Sequence, residues 1–190
     1  MQLQAAEGGG AEQLSLQHAE ARVRWWGLLE PACAALVPAT AQRHGGCSEA
    51  LATTLSLLAK AKEETGQMAV ALKLYERVGN RRWDGSAAEN KRIQLSGKFE
   101  IGRLHAGSVA DGGVQRAEQV FRAELDAMLA EHDGSAAAAA GDADDDGGGA
   151  VDPHLLAVFT SGLEAVLRSQ GRGSEADELV ARVAKSQSSR

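Results

Sequence analysis

Residues 58–78 read LAKAKEETGQMAVALKLYERV, and residues 163–183 read LEAVLRSQGRGSEADELVARV. Both stretches carry a glycine at the same offset from the leading leucine, Gly66 in the first and Gly171 in the second. On either side of that glycine, apolar residues recur every three or four positions, which is the period of an amphipathic helix. Glycine readily adopts the left-handed backbone conformation that ends a helix. Each stretch is therefore predicted to form two helices joined by a tight turn.

The same helical period continues through most of the chain. It predicts amphipathic helices over residues 48–65, 67–78, 113–131, 153–169 and 174–185. Asp152 before Pro153 has the form of an N-cap followed by proline at the first helical position. Ser86, with Glu89 three residues later, has the form of a capping box. No segment alternates at the period of two that a strand requires, so the predicted fold class is all-α.

Composition excludes several classes of protein. The chain has 190 residues and a net charge of −6, which argues against general affinity for nucleic acid. Its two cysteines, Cys33 and Cys47, are too few for a disulfide framework and favour a reducing compartment. No apolar run is long enough to cross a bilayer. We therefore expect an intracellular, cytoplasmic protein without membrane insertion, with cytoskeletal or ciliary association left open.

A second hairpin can be aligned with the other two. It has Ile101-Gly102, a glycine-rich turn over 107–113, and then Ala117 and Phe121. A small residue in the first helix, a turn glycine and Ala-x3-aromatic in the second helix resemble the tetratricopeptide repeat, with kinesin-light-chain-type repeats the nearest form. The resemblance implies an antiparallel helix-hairpin array, a right-handed superhelix of about three hairpins with an N-terminal helical cap. The alternative is an ordinary antiparallel helical bundle.

Five segments follow from this interpretation. They are a flexible leader over 1–10, a helical cap or degenerate hairpin over 11–47, two hairpins over 48–132, a disordered Ala/Gly/Asp-rich insertion over 133–150, and a C-terminal hairpin with its tail over 151–190. Within the N-terminal segment, Pro31 is predicted to begin a second helix and Pro38 to end or kink it. Trp25 and Trp26 are predicted to be stacked core residues, with a partner-binding role as the alternative.

The resemblance implies a non-catalytic scaffold or adaptor that holds a peptide or a helical segment in the concave groove of the array. The family positions that line this groove correspond here to Lys60, Phe99, Arg103 and Arg168. The three cations favour an acidic partner segment. None of these positions supplies the asparagines of the carboxylate-clamp form of the family, so chaperone-tail binding is not expected. The oligomeric state and the identity of the partner stay open.

The alternative function is RNA binding by a helical-repeat protein. One basic cluster contains an aromatic residue, and it consists of Arg81, Arg82, Trp83, Lys91, Arg92 and Lys98. A tryptophan among cations could stack on a base while the cations contact phosphates. The alternative is that these residues are a solvated loop and the start of a helix without a binding role, and the negative net charge favours this interpretation. We therefore do not expect a nucleic-acid partner.

The sequence contains no catalytic motif, and we predict no enzymatic activity and no cofactor. The string Gly171-x-Gly173-x-x-Ala176 fits a dinucleotide fingerprint, but no strand precedes it as that site requires. A metal site built on Cys33, His44 and Cys47 would lack a fourth ligand. No metal site is predicted.

Overall fold

The structure is a computed structural model, and it describes residues 8–108, 112–138 and 152–188. In these ranges it contains seven α-helices and no strand, which confirms the all-α prediction. The helices are α1 (Gly8–His44), α2 (Glu49–Glu64), α3 (Met68–Asn80), α4 (Ala87–Ala106), α5 (Gly113–Ala138), α6 (Pro153–Ser169) and α7 (Gly173–Ser188). The chain divides into two compact units, Met1–Leu74 and Tyr75–Arg190, and the boundary falls within α3.

Two predicted low-complexity segments are only partly described. Residues 1–7 of the leader and residues 139–150 of the insertion lie outside the described residues. The leader's last three residues begin α1, and α5 continues to Ala138. The prediction of disorder is therefore wrong for residues 133–138. The physical reason is that the alanines after Ser135 have the highest helix propensity and can extend a helix that has already formed.

Two turns reverse the chain as the sequence predicts. Gly66 and Gly171 have φ angles of 81° and 75°, in the left-handed region that glycine tolerates. In the first turn, the backbone N–H of Gln67 donates to the carbonyl of Lys62 at 2.7 Å. In the second turn, the backbone N–H of Arg172 donates in the same way to the carbonyl of the residue five positions earlier, Leu167, at 3.0 Å. Both turns are Schellman motifs, so the prediction of two matching turns is confirmed.

Helix starts also follow the sequence. The Ser86 hydroxyl accepts from the backbone N–H of Glu89, and the Glu89 carboxylate accepts from the backbone N–H of Ser86 at 2.8 Å. This reciprocal capping box begins α4. The Asp152 carboxylate accepts from the N–H of His154 at 2.9 Å and caps α6. These three bonds satisfy N–H groups that the start of a helix otherwise leaves unpaired.

In the first unit, α1 is a single 37-residue helix that packs along α2. Pro31 and Pro38 both lie inside it, so the predicted separation into two helices at these prolines is wrong, and a degenerate hairpin over 11–47 is not observed. Contacts with α2 hold the helix on either side of Pro31: the Arg22 guanidinium pairs with Glu64 at 2.8 Å, and Thr54 donates to Thr40 at 3.4 Å. Tertiary packing of this kind offsets the backbone bond that each proline removes.

The second unit is built from two helix pairs that repeat in the same direction. Lys98 pairs with Glu124 at 2.7 Å and Lys91 pairs with Glu131, which fixes α4 and α5 as antiparallel neighbours. Helix α6 packs against α4, α5 and α7, and α5 also contacts α7. The α5–α7 contacts advance in the same direction along both helices, because Arg122 pairs with Glu175 and Asp126 with Arg182. Helices α5 and α7 are therefore parallel.

One helix pair is missing from the contacts of the second unit. For the residues that the structure describes, α4 and α7 do not contact each other. A closed up-and-down four-helix bundle would bring its first and last helices together and keep diagonal helices apart. Here the diagonal pairs α4–α6 and α5–α7 are in contact instead. The second unit is an open arrangement in which one hairpin is displaced onto the next.

The core of this unit forms around the Phe121 ring. A Cβ atom placed on Gly102 of α4 would lie 2.6 Å from this ring, and one placed on Gly162 of α6 would lie 3.0 Å from it. Phe159 contacts the ring edge to face with centroids 6.0 Å apart. The two glycines therefore form a slot that admits an aromatic ring between three helices. Gly102 is the small residue of the predicted repeat motif, and Phe121 is the aromatic residue of that motif.

Candidate protein-interaction surfaces

The two arginines of the predicted groove lie on neighbouring helices of the second unit. Arg103 is on α4 and pairs with Glu100 at 2.6 Å. Arg168 is on α6 and donates to Glu164 at 3.0 Å and to Asp177 at 2.7 Å. These two hydrogen bonds raise the pKa of Arg168 above its usual value. Both guanidinium groups are half-exposed, and an acidic partner would have to compete with carboxylates of the chain itself.

The third groove residue of this unit, Phe99, belongs partly to the core. Its ring centroid lies 5.7 Å from that of Phe121 and 5.8 Å from that of Phe159, and the side chain is half-buried. Aromatic pairs with this geometry stabilise a core beyond simple burial. Phe99 can therefore offer a partner only one edge of its ring, because the remainder packs against α5 and α6.

Lys60 belongs to the first unit. It lies on α2, where its ammonium group is 3.2 Å from the carboxylates of both Glu63 and Glu64. Glu64 is also held by Arg22 of α1, so the lysine is one member of a mixed-charge network. The spacing of Lys60, Glu63 and Glu64 within one helix indicates the local pairs, but not the contact of Glu64 with Arg22, which is distant along the chain.

The basic cluster does not provide an exposed stacking surface. Trp83 is 2% exposed, and its indole N–H donates to the carbonyl of Val78 at 2.8 Å. Its backbone N–H donates to the side chain of Asn90 at 2.6 Å, and Arg81 lies 5.7 Å from its ring centroid. The proposed stacking role for Trp83 is therefore wrong, because the ring fills the end of a helix hairpin and is closed to a base.

The cations of the cluster are also engaged. Lys91 and Lys98 pair with carboxylates of α5, and Arg81 and Arg92 both have interaction partners. Burial lowers the pKa of Lys91, against the opposing influence of Glu124. Arg82 is an exposed loop residue. Binding to phosphates is favourable because protein cations displace the counterions of the nucleic acid, and pairing of those cations with carboxylates reduces this contribution.

A network around Glu118 joins α5 to the turn between α6 and α7. Burial raises the pKa of this carboxyl, but hydrogen bonds from Arg122, Arg172 and Gln170 outweigh that effect, and the pKa is lowered overall. Arg172 also donates to Glu175 at 2.7 Å, and these bonds raise the pKa of the arginine. The network fixes the relative position of the two hairpins. Its carboxylates and guanidinium groups neutralise each other, which is typical of a structural site.

A depression of about 160 Å³ lies next to this network. Its lining combines leucines with charged groups and consists of Arg122, Leu163, Leu167, Glu175, Glu178, Leu179 and Arg182. Pockets for small ligands usually measure about 300–1,000 Å³, so the depression can receive one side chain but not a cofactor. Across residues 8–108, 112–138 and 152–188, no three or more His, Cys, Asp or Glu residues are grouped as metal ligands would be. No helix within these ranges is both long and apolar enough to span a membrane.

Among the described residues, most of the exposed large apolar side chains lie on α1, where the sequence predicted a buried tryptophan. Trp25 is 61% exposed, so the prediction that it is a core residue is wrong, whereas Trp26 is half-buried on the side that faces α2. Leu28 is 76% exposed and Leu36 is 53% exposed. Neighbouring residues of a helix point about 100° apart, so only one of two adjacent tryptophans can face α2. The spacing of Trp25, Leu28 and Leu36 could have indicated this second apolar face.

Comparison of the chain with protein-family models, with curated proteins and with solved structures gives no match.

Proposed function

We propose that the protein is a non-catalytic scaffold or adaptor that binds a segment of a partner protein on tetratricopeptide-like helix hairpins. The observation that carries the proposal is the repeated hairpin of the second unit. The second helices of its two hairpins, α5 and α7, are parallel, and the diagonal pairs α4–α6 and α5–α7 are in contact. The first and last helices, α4 and α7, do not contact each other among the described residues. An arrangement of this kind displays the first helices of successive hairpins on one side, where they can line an extended binding surface.

Local chemistry supports the family assignment behind this proposal. Gly102, Ala117 and Phe121 are the three residues that the repeat motif requires, and Ala117 and Phe121 are buried while Gly102 contacts the Phe121 ring. The motif's small residue thus has the role that such a residue has in a repeat, which is to let the second helix approach. The matching turns at Gly66 and Gly171 add a second, independent similarity between hairpins.

The proposed binding surface is the exposed side of α4 and α6, which carries Arg103 and Arg168. Each arginine keeps a half-exposed guanidinium group while it pairs with a neighbouring carboxylate. A partner carboxylate could take up the remaining N–H donors, since a guanidinium group has five. The gain from charge alone is small, because exposed ion pairs contribute only about 0–1 kcal/mol. The partner segment must therefore also make apolar contacts, for which the exposed edge of Phe99 is available.

The experiment compares affinity capture with the wild-type chain and with an Arg103→Glu, Arg168→Glu variant, with bound proteins identified by mass spectrometry. The matched control is a Lys73→Glu, Arg77→Glu variant, which makes the same change of charge at two exposed residues of α3. We expect partners that are lost in the groove variant and retained in the control, with cross-links that map to α4 and α6. Equal loss in both variants, or recovery that nuclease treatment abolishes, would contradict the proposal.

The basic cluster carries no second candidate function. RNA binding through it would need an exposed aromatic ring, and Trp83 is buried.

A further inference from the structure

Helix α1 projects past the end of the helix that it packs on. Thr54, in the first half of α2, donates to Thr40 at 3.4 Å. Thr65, at the end of α2, donates to Glu30 at 3.1 Å. The two helices are therefore antiparallel, and α2 ends at the level of Glu30. Residues Gly8 to Glu30 form the part of α1 beyond that level, the α1 arm.

The weakest point of the helix lies where the α1 arm leaves α2. Pro31 has no N–H to donate to the carbonyl of Gly27, and a proline ring inside a helix crowds the carbonyl four residues earlier. Gly27 itself has a lower helix propensity than any residue except proline. Proline also disfavours the helical conformation of the residue before it, which is Glu30. These effects coincide within one turn, whereas the residue four positions before Pro38 is Ala34.

The side chain of Glu30 is held at the end of α2 by three donors. Its carboxylate accepts from the ammonium group of Lys62, from the hydroxyl of Thr65 and, at 3.1 Å, from the amide of Gln67. The side chains of Glu30 and Lys62 are 21% and 18% exposed, so this pair is mostly shielded from water. Hydrogen bonds that involve a charged group are about twice as strong as neutral ones. The residue whose helical conformation Pro31 disfavours is thus the residue that the turn after α2 holds.

The α1 arm is otherwise held weakly. Among the residues that the structure describes, it makes one further polar contact with α2, in which Arg22 pairs with Glu64 at 2.8 Å. Every side chain from Ser15 to Trp25 is exposed. Burial of an apolar face is what stabilises most helices of folded proteins, and the arm has little of it. Polar contacts at two points, Arg22 and Glu30, therefore fix its direction.

We propose that the α1 arm is a hinged lever that pivots over Gly27 to Pro31 and is held at the end of α2 by a polar latch, Arg22 and Glu30. The bonds of Glu30 keep the hinge helical, and the pair of Arg22 with Glu64 holds the lever. Hinges of this kind concentrate a backbone change in a few residues and leave the moving element intact. The inference does not depend on the proposed function, since all these residues belong to the first unit.

The experiment measures distances between two spin labels on the full chain by pulsed electron paramagnetic resonance. The arm pair joins Ala19→Cys to Val70→Cys of α3, in a Cys33→Ala, Cys47→Ala background. The reference pair joins Gln42→Cys, beyond both prolines, to the same position of α3. All three labelled positions are exposed. The arm label lies about 18 Å along the helix from the hinge, so a pivot of about 20° moves it by about 6 Å.

The latch is removed by Arg22→Gln, Glu30→Gln, which deletes the charges and keeps the side chains polar. We expect the distance of the arm pair to shift or spread by about 6 Å, with the reference pair and the helix content from circular dichroism unchanged. Adding Gly27→Ala, Pro31→Ala to the latch variant removes the hinge and should restore the narrow wild-type distribution. Adding Pro38→Ala is the matched control and should leave the distribution broad.

Four results would overturn the inference. An arm pair that keeps the wild-type distribution in the latch variant would show that the latch does not hold the arm. Recovery with Pro38→Ala as complete as with Gly27→Ala, Pro31→Ala would place the flexible point elsewhere. Loss of helix content would mean that the arm unfolds, and an equal change in the reference pair would mean that the whole unit loosens. A broad arm pair that is restored only by removal of the hinge supports the lever.

Discussion

Substitution of Gly102 by alanine tests whether a glycine slot holds the core of the second unit. A Cβ atom at this position would lie 2.6 Å from Cε1 and 2.7 Å from Cζ of Phe121. The ring is 2% exposed and is packed against Phe99 and Phe159, so it has little room to move. Overpacking of a buried site costs about 1–3 kcal/mol. Replacing glycine by alanine inside a helix stabilises the folded state by about 1 kcal/mol through helix propensity, which opposes this cost.

The net expectation is destabilisation by about 1–2 kcal/mol, because a contact of 2.6 Å with an immobile ring lies at the severe end of the overpacking range. Gly162→Ala should be close to neutral, since its Cβ would be 3.0 Å from the same ring. Gly27→Ala should stabilise, since Gly27 lies inside α1 with no atom near its Cβ position. The three substitutions share the same change in propensity and differ in the space available.

Urea unfolding followed by circular dichroism would measure these free energies. A double-mutant cycle with Phe121→Leu adds a specific test, because a smaller side chain should relieve the clash and make the pair of changes less than additive. We expect a favourable coupling of about 1 kcal/mol between Gly102→Ala and Phe121→Leu. If Gly102→Ala stabilises the protein as much as Gly27→Ala does, the ring does not occupy the slot and the reasoning is refuted.

Two further predictions follow from other contacts of the second unit. Gly97→Ala should destabilise the protein more than Gly102→Ala does, because its Cβ would lie 2.5 Å from the backbone nitrogen of Gly79. Backbone atoms move less readily than a ring. The same urea titration measures the change in the free energy of unfolding. The pKa of His105 is lowered by burial and by Arg116, so the unfolded state binds the proton more readily. Stability should therefore fall as pH drops through 6.5, and His105→Gln should flatten that dependence in unfolding midpoints measured from about pH 7.5 downward.

Local signals in the sequence were sufficient for the turns and for the helix starts. Gly66 and Gly171 end their helices because the left-handed conformation is favourable only for glycine and a few polar residues, and this preference acts within one turn. The Ser86 capping box likewise depends on residues three positions apart. The slot at Gly102 could also be anticipated, because a small residue in one helix and an aromatic residue in the next form one motif.

Other features depend on residues that are far apart in the chain. Pro31 and Pro38 predicted a break in α1, but contacts with α2 hold the helix together on either side of Pro31. The loop position of Trp83 indicated exposure, whereas a hydrogen bond to Val78 and the surrounding helices bury it. The groove cations were assigned by the positions of the repeat that the chain resembles. Their pairs within one helix, Arg103 with Glu100 and Arg168 with Glu164, are local, but Arg168 meets Asp177 only after the chain has reversed at Gly171.

Glu124 illustrates how a departure from the repeat pattern can be accommodated. In the tetratricopeptide repeat that this hairpin resembles, a small residue is usual at this position of the second helix, and a carboxylate there would be costly if it were buried without a partner. The structure pairs it with Lys98 of α4 at 2.7 Å, and both side chains remain partly exposed. Lys91 and Glu131 make a second pair between the same two helices.

Charge therefore joins α4 to α5, where a small residue would have allowed closer packing. The same use of charge recurs between α5 and α7, where Asp126 pairs with Arg182. Because carboxylates of the chain already pair with Arg103 and Arg168, an acidic partner that replaces them gains only the difference between two similar ion pairs. Recognition of a partner must then depend mainly on shape and apolar contact, and it should weaken only slightly as salt is raised.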